Sequence, residues 1–452
     1  MAYIRRDIDA TLKAWQEAPR RKPLLLRGVR QCGKTSAVRQ LAGTFENYVE
    51  INLEKQQSLH SVFEGDLEIK RIIPRLELEA SGRIVPGKTL LFLDEIQACP
   101  RAITALRYFY EEMPSLHVLA AGSLLEFVLN REKGPFRIEF PVGRLRSVFM
   151  YPFSFREFLL GTGQEPLCRY LDALDISRDR NDAHEKLLDA YKTFLIVGGM
   201  PEVVAKYAET GSLLSCQRIH RDIAVNFLDD FGKYDSHVPA DIIRKVFDYA
   251  LHNVCGQTRA SSAIAGISAY YFNECVALLK RAGLIHPVKA SACDAIPPGA
   301  GEKETNKKLL LFDTGIYLTE CSLDAGNLLA ATSLDAMNKG KVVEMQTGLE
   351  LIKYADPYRE AALSYWYRTG ANAEVDYVLQ LGTSLVPIEV KASGKGSMQS
   401  LKAYLETHPS APYGIRVSME NFAQYDNIHV YPVYAMEKLM RLKNNPTTAT
   451  IF

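Results

Sequence analysis

Two groups of residues in this 452-residue sequence have the types and the spacing to do chemistry. The first begins where the apolar run Leu24-Leu25-Leu26 gives way to Gly28-Val29-Arg30-Gln31-Cys32-Gly33-Lys34-Thr35-Ser36. Gly28 and Gly33 let the backbone fold tightly enough for its N–H groups to surround a di- or triphosphate. Lys34 adds a point charge for the outer phosphates, and the Thr35 hydroxyl is a ligand for Mg²⁺. A helix starting near Thr35 directs its positive end at the same place. Further on, the apolar run Leu90–Leu93 ends in Asp94-Glu95. Asp94 is expected to hold the Mg²⁺ shell, and Glu95 to be the general base that orients and deprotonates an attacking water.

The second group is Asp376 followed by Glu389-Val390-Lys391. Side chains two apart on a strand share a face, so Glu389 and Lys391 are expected to point together toward Asp376. Two carboxylates can hold Mg²⁺ against a phosphodiester while a lysine positions or activates the water. This is the arrangement used by restriction-endonuclease-like nucleases. Such sites often add a glutamate from the preceding helix, for which Glu344 is the candidate and Glu350 the weaker one. Read alone, the same residues also suit an amphipathic edge strand with solvated charges.

The elements that must position these residues can be read around them. Residues 1 to 20 read as a helix with Ile4, Ile8, Leu12 and Trp15 on one face. From the glycine-bounded loop to about residue 160, helical stretches alternate with short apolar strands at Tyr48–Leu53, Thr89–Leu93, His117–Ala121 and Leu145–Tyr151. Alternation of this kind gives an α/β fold with a parallel sheet, whose ligands bind at the carboxyl ends of the strands. Ser123, after the run His117–Ala121, is then placed to sense a terminal phosphate, or is a plain turn serine. Arg144, or Arg146 beside it, is placed to stabilise a transferring phosphoryl group in a neighbouring subunit. The other reading is that both are surface residues of an edge strand.

GVRQCGKT, the FLDEIQ strand, AAGS, VGRLRSVFMYPFSFREFL and VGGMPEVV together make the chain resemble a widespread family of prokaryotic AAA-type P-loop ATPases. The resemblance spans essentially the whole sequence, with Cys32 standing where an aliphatic residue is usual. It implies ATP and Mg²⁺ as cofactors. It also implies a C-terminal region of unknown function containing a restriction-endonuclease-like domain. The preference for adenine comes mainly from the resemblance, and no Asn-Lys-x-Asp guanine motif is present.

Four segments are expected: an AAA-type ATPase domain at 1–163, a helical lid or connector at 164–236, a winged-helix-like domain at 237–320 and a restriction-endonuclease-like domain at 321–452. The double glycine of Val197–Val204 marks a sharp turn where the lid packs on the ATPase. The Pro/Gly-rich stretch Ser291–Lys308 reads as a flexible wing. The helix before it begins Ser268-Ala269-Tyr270-Tyr271 without charge, which favours packing or protein contact over base reading.

Composition narrows the partners. Hydrophobic residues are 47% and charged residues 24%, with a net charge of +1, so bulk electrostatics gives no support for nucleic acid. No apolar run is long enough for a membrane span, and the N-terminus lacks a signal-peptide core. Eight scattered cysteines without a CxxC pair fit a reducing cytoplasm. The leading expectation is an ATP-driven cytoplasmic machine whose nuclease-like C-terminal half acts on or grips DNA or other nucleic acid, with a homo-oligomer in view. The alternative is a nucleotide-switched scaffold whose C-terminal half recruits a protein partner.

Overall fold

The computed structural model describes residues 3–80, 82–122, 141, 143–174, 181–230, 238–322, 339–368, 370, 373–392 and 397–444. Its first layer is a five-stranded parallel sheet. The strands are β1 (Leu24–Arg27), β2 (Asn47–Asn52), β3 (Thr89–Asp94), β4 (His117–Gly122) and β5 (Arg146–Phe149), in the order β2-β3-β4-β1-β5. Every residue of β3 and β4 is buried, as expected for strands covered on both faces. Fully burying a leucine such as Leu24 or Leu91 is worth about 1.5–3 kcal/mol.

Helices α1 (Ile8–Glu17), α2 (Lys34–Ala42), α3 (Ile69–Ala80) and α4 (Pro100–Glu112) supply that cover. Ile8, Leu12 and Trp15 form the buried face of α1, as their spacing predicts. The helix starts later than the sequence suggests, because the Arg6 backbone N–H donates to Asp9 Oδ2 at 2.8 Å and Arg6 itself is buried in an ion pair.

A helical segment follows: α5 (Phe155–Gly161), α6 (Glu165–Ala173), α7 (His184–Val197), α8 (Pro201–Thr210) and α9 (Leu213–Asp230). Ser154 and Glu157 close α5 with a reciprocal capping box. Between α7 and α8 lies the double glycine. Gly198 has φ +72°, and a Cβ there would stand 2.2 Å from Asp313 Oδ1. A Cβ on Gly199 would meet Phe153 O at 2.4 Å. Both positions require glycine because backbone and side chains from three parts of the chain meet there.

The remaining elements are α10 (Ala240–His252), β6 (Thr258–Arg259), α11 (Ala269–Arg281), β7 (Ile285–Ser291), β8 (Glu302–Leu311), α12 (Thr314–Glu320), α13 (Lys339–Lys353), β9 (Leu363–Tyr367), β10 (Glu374–Leu381), β11 (Ser384–Val390), α14 (Gln399–Thr407), β12 (Gly414–Ser418), β13 (Ala423–Tyr425), β14 (Ile428–Pro432) and α15 (Met436–Asn444). Their strands make one nine-stranded mixed sheet in the order β13-β14-β12-β11-β10-β9-β7-β8-β6.

Two expectations change here. Helices α10 and α11 and the β7–β8 ladder follow in the anticipated sequence, but β7 also pairs in parallel with β9. The segments placed on either side of residue 320 therefore share one sheet. The stretch Ser291–Lys308 is also more regular than a flexible wing, since Glu302–Lys308 lies in β8 and pairs with β7 across a bulge. The apolar run Leu309–Leu311 continues that strand and is buried.

Candidate nucleotide site and carboxylate cluster

At the end of β1 the backbone turns through Gly28 (φ 155°) and Gln31 (φ 64°), then through Gly33 (φ 96°) into α2. A Cβ on Gly28 would lie 2.1 Å from Met150 O, so the loop cannot pack against the segment after β5 with any larger residue. Val29 and Cys32 are buried beneath it, Cys32 serving as the small apolar filler. Arg30 pairs with Glu54 at 3.7 Å, and Ser36 is exposed on α2.

Lys34 Nζ donates to Gly28 O and Val29 O, both at 2.9 Å, so the ammonium is held inside the cradle. Thr35 Oγ1 donates to Asp94 Oδ2 at 3.1 Å. This brings the loop hydroxyl and the β3 carboxylate together although β4 separates β1 from β3. Burial raises the Asp94 carboxyl above its usual range, and the neighbouring Glu95 adds to this. Glu95 sits in the left-handed region (φ 48°), a costly conformation for a residue with a side chain. Its Oε2 accepts from Gln97 Nε2 at 2.5 Å. A hydroxyl and a carboxylate converging beside a lysine suit Mg²⁺ and phosphate oxygens.

The second group also assembles, with a residue that the sequence reading did not assign to it. Tyr377 pairs with Ile388, which sets Asp376 and Glu389 side by side on β10 and β11. Lys391 Nζ meets Glu389 Oε1 at 2.6 Å, confirming that these two side chains share a face. Glu344 arrives from α13. Among Glu344, Glu374 and Asp376 lies the ammonium of Lys308, 2.8 Å from Glu344 Oε1 and 3.1 Å from Asp376 Oδ1, with Glu374 in contact as well. Lys308 is only 1% exposed. Burial opposes its charge, but Glu344, Asp376 and Glu374 outweigh it and hold the lysine well above its usual range. Burial, reinforced by Asp376, pushes Glu344 up to about 8.

Among the described residues, no group of three or more His, Cys, Asp or Glu side chains is placed to hold a metal. With Lys308 in position, Glu344, Asp376 and Glu389 do not fit one. Glu350 lies farther along α13, where its Oε2 accepts from the Phe155 N–H at 3.2 Å, and so belongs to a different contact.

Residues 20–159 match the family model described as an AAA domain. This part of the chain is an AAA-type P-loop domain. Residues 188–326 match a domain of unknown function (DUF8612), and residues 339–436 another (DUF4143). Among solved structures, the Walker-type ATPase PABY2304 of Pyrococcus abyssi is 15% identical, with a TM-score of 0.43 over 70% of this chain and 95% of that one. The Aeropyrum pernix ORC1 protein in complex with DNA is 13% identical, with a TM-score of 0.29 over 72% of this chain and 90% of that one. No curated protein matches the chain.

The AAA domain is braced by a residue that the motif does not include. Arg6 is buried and donates from Nη1 to Cys32 O at 3.0 Å, from Nη2 to Tyr151 O at 2.8 Å and from Nε to Glu157 Oε1 at 2.9 Å. It ties the phosphate loop to the segment after β5 and to α5. The only available signal was an arginine near the front of an amphipathic helix, which carries no motif.

Arg144 is half exposed, and its Nε pairs with Glu111 Oε1 of the same chain at 3.1 Å. Arg146 lies over the Tyr358 ring, 5.0 Å from its centroid. Ser123 lies outside the described residues, just past the end of β4.

Later segments also reach the AAA domain. A cavity of about 240 Å³ at the carboxyl ends of β1 and β4 is lined by Gly28, Val29 and Gly122 on one side, and by Lys280, Arg281 and Gly283 on the other. A Cβ on Gly283 would stand 3.2 Å from Val29 N. From the start of α8, Pro201 Cγ is 3.5 Å from a Cβ built on Gly33. Lys353 of α13 donates to Phe153 O at 2.9 Å.

Proposed function

We propose that the chain is a Mg²⁺-dependent ATPase that passes its nucleotide state to its C-terminal half. The observation that carries the first part is the contact between Thr35 and Asp94 beside a loop that already encloses a lysine ammonium. Thr35 and Asp94 would hold Mg²⁺, which when bound offsets the charge of the phosphate oxygens. Lys34 leaves the Gly28 and Val29 carbonyls for the outer phosphates. Glu95 leaves Gln97 to accept a proton from the water that attacks the terminal phosphorus, as the bond to the bridging oxygen breaks. Cytoplasmic location and assembly into a homo-oligomer, with Arg144 acting between subunits, belong to the same reading.

The second part is supported by the packing of Gly283 and Pro201 against the phosphate loop and of α13 against Phe153. Helix α13 carries Lys353 and Glu350 at the AAA domain and Glu344 at the carboxylate cluster. Any displacement of Phe153 on nucleotide binding is thereby applied to the cluster.

Two uses of the C-terminal half follow. A restriction-endonuclease-like unit acting on nucleic acid is favoured by Asp376, Glu389 and Lys391 standing together. A unit that binds a protein partner is favoured by Lys308, which already occupies the acids, and it is the reading preferred here.

The deciding experiment is Mg²⁺-dependent ATP hydrolysis by wild type, Lys34→Ala and Glu95→Gln. Both substitutions should abolish turnover, and unaltered turnover in both removes the ATPase reading. Cleavage of plasmid or structured DNA with Mg²⁺ or Mn²⁺, lost in Asp376→Ala and Lys391→Ala, would instead establish the nuclease.

A further inference from the structure

We propose that Lys308 is the resident cation of the C-terminal carboxylate site: its ammonium engages the acids that a divalent ion would need, so the site holds no metal while the lysine is present.

The geometry is that of a built site. Lys308 projects from β8, three strands from β10 in the sheet, passes the Tyr365 ring with its Nζ 5.2 Å from the centroid, and ends among Glu344, Glu374 and Asp376. Both Asp376 oxygens are already engaged, Oδ1 meeting Lys308 at 3.1 Å and Oδ2 accepting the Val390 N–H at 2.8 Å. Glu344 is fixed from behind, its own carbonyl accepting the Tyr377 hydroxyl at 2.8 Å. One group in the cluster is left over. Glu389 is 4% exposed, its Oε1 meets Lys391, and its Oε2 is buried with no hydrogen-bond partner among the described residues. A divalent ion bridging Asp376 and Glu389 would complete Glu389. It would also have to take Asp376 from Lys308 and stand beside an ammonium with no exit to water. Like charges at that distance in a dry interior repel strongly, so the lysine and the ion exclude one another.

This inference deepens the partner-binding reading of the C-terminal half and uses nothing of the nucleotide site. A failed ATPase assay leaves it standing, and its own failure leaves the ATPase standing. It also makes a specific claim about what one substitution creates. Replacing Lys308 by a neutral residue of similar length frees Glu344, Glu374 and Asp376 to form a cation site together with Glu389.

The test is Mn²⁺ titration followed by electron paramagnetic resonance, without nucleotide, in full-length chain carrying Thr35→Val and Asp94→Asn to silence the nucleotide site. The chain with Lys308 should bind no stoichiometric Mn²⁺. Lys308→Met should gain one site, at least about tenfold tighter than any binding by the parent, and should lose it again with Asp376→Asn. One equivalent of Mn²⁺ bound by the Lys308 chain and abolished by Asp376→Asn overturns the proposal. So does a folded Lys308→Met chain that binds none. If Lys308→Met does not fold, the titration of the Lys308 chain, with and without Asp376→Asn, decides alone.

Discussion

Asp313 holds Gly199 across 114 residues of sequence, its Oδ2 accepting the Gly199 N–H at 2.7 Å while its Oδ1 accepts the Ile316 N–H at 3.1 Å. Gly199 in turn accepts the Phe153 N–H at 2.7 Å. One aspartate thus caps α12 and clamps the turn that abuts the AAA domain. Asp313→Ala removes a helix cap and strands a buried amide, and should cost about 2–4 kcal/mol. Thermal unfolding should show the loss. Gly198→Ala, which drives a methyl group into the same carboxylate at a positive φ, should be destabilising too.

Arg6 and Glu157 form an ion pair whose side chains are 4% and 6% exposed. Breaking one partner of a buried pair leaves the other uncompensated, at about 3–5 kcal/mol. Glu157→Ala should therefore lower the urea midpoint markedly. Arg6→Met should also loosen the loop through the lost bond to Cys32 O, so ATP affinity should fall by more than ADP-independent controls such as the far-ultraviolet spectrum would suggest. A fluorescent nucleotide titration measures this.

His117 gives the AAA domain a defined acid sensitivity. It begins β4, its Nε2 lies 3.2 Å from Gln16 O, and its ring packs edge-on against Trp15 and Phe45. Burial, aided by Arg21, lowers its pKa from 6.5 to about 4. Above about pH 6.5 both folded and unfolded chains are neutral at this position. Below it the unfolded chain takes up the proton first, so stability is lost as pH falls from about 6.5 to about 4, by on the order of 3 kcal/mol. His117→Gln should flatten the unfolding free energy across that window.

Glu344 should act in the opposite sense. Its folded pKa of about 8 lies above the ordinary 4.5 of a glutamate, so the native state keeps a proton that the unfolded chain has released. Stability should fall as pH rises between those values. Glu344→Gln keeps a neutral acceptor for Lys308 and should remove that slope, which denaturant titrations at pH 5 to 8 would resolve.

The AAA domain was legible because its signals are local. Gly28, Gly33, Lys34 and Thr35 are adjacent in sequence, and the all-apolar β3 announces Asp94 by ending on it. The strand positions near Thr89 and His117 follow from the same rule, that strands buried on both faces read as unbroken apolar runs. What was not legible depends on distant partners. Arg6 carries no motif and acquires its role only when the Cys32 and Tyr151 carbonyls and Glu157 close around it. Lys308 sits in a stretch whose Pro and Gly content suggests a loop, and neither its burial nor its three acidic neighbours leaves a mark in the local pattern. The break placed at residue 320 likewise ignored a pairing, β7 with β9, between strands far apart in the chain.

That pairing determines how the protein can be divided. A fragment ending at residue 322 would present β7 with one hydrogen-bonding edge bare, and a fragment starting at residue 339 would do the same with β9. Each piece alone is an invitation to aggregate. Mixed together, the two should find one another and restore the ladder, behaving as complementary halves of a split protein.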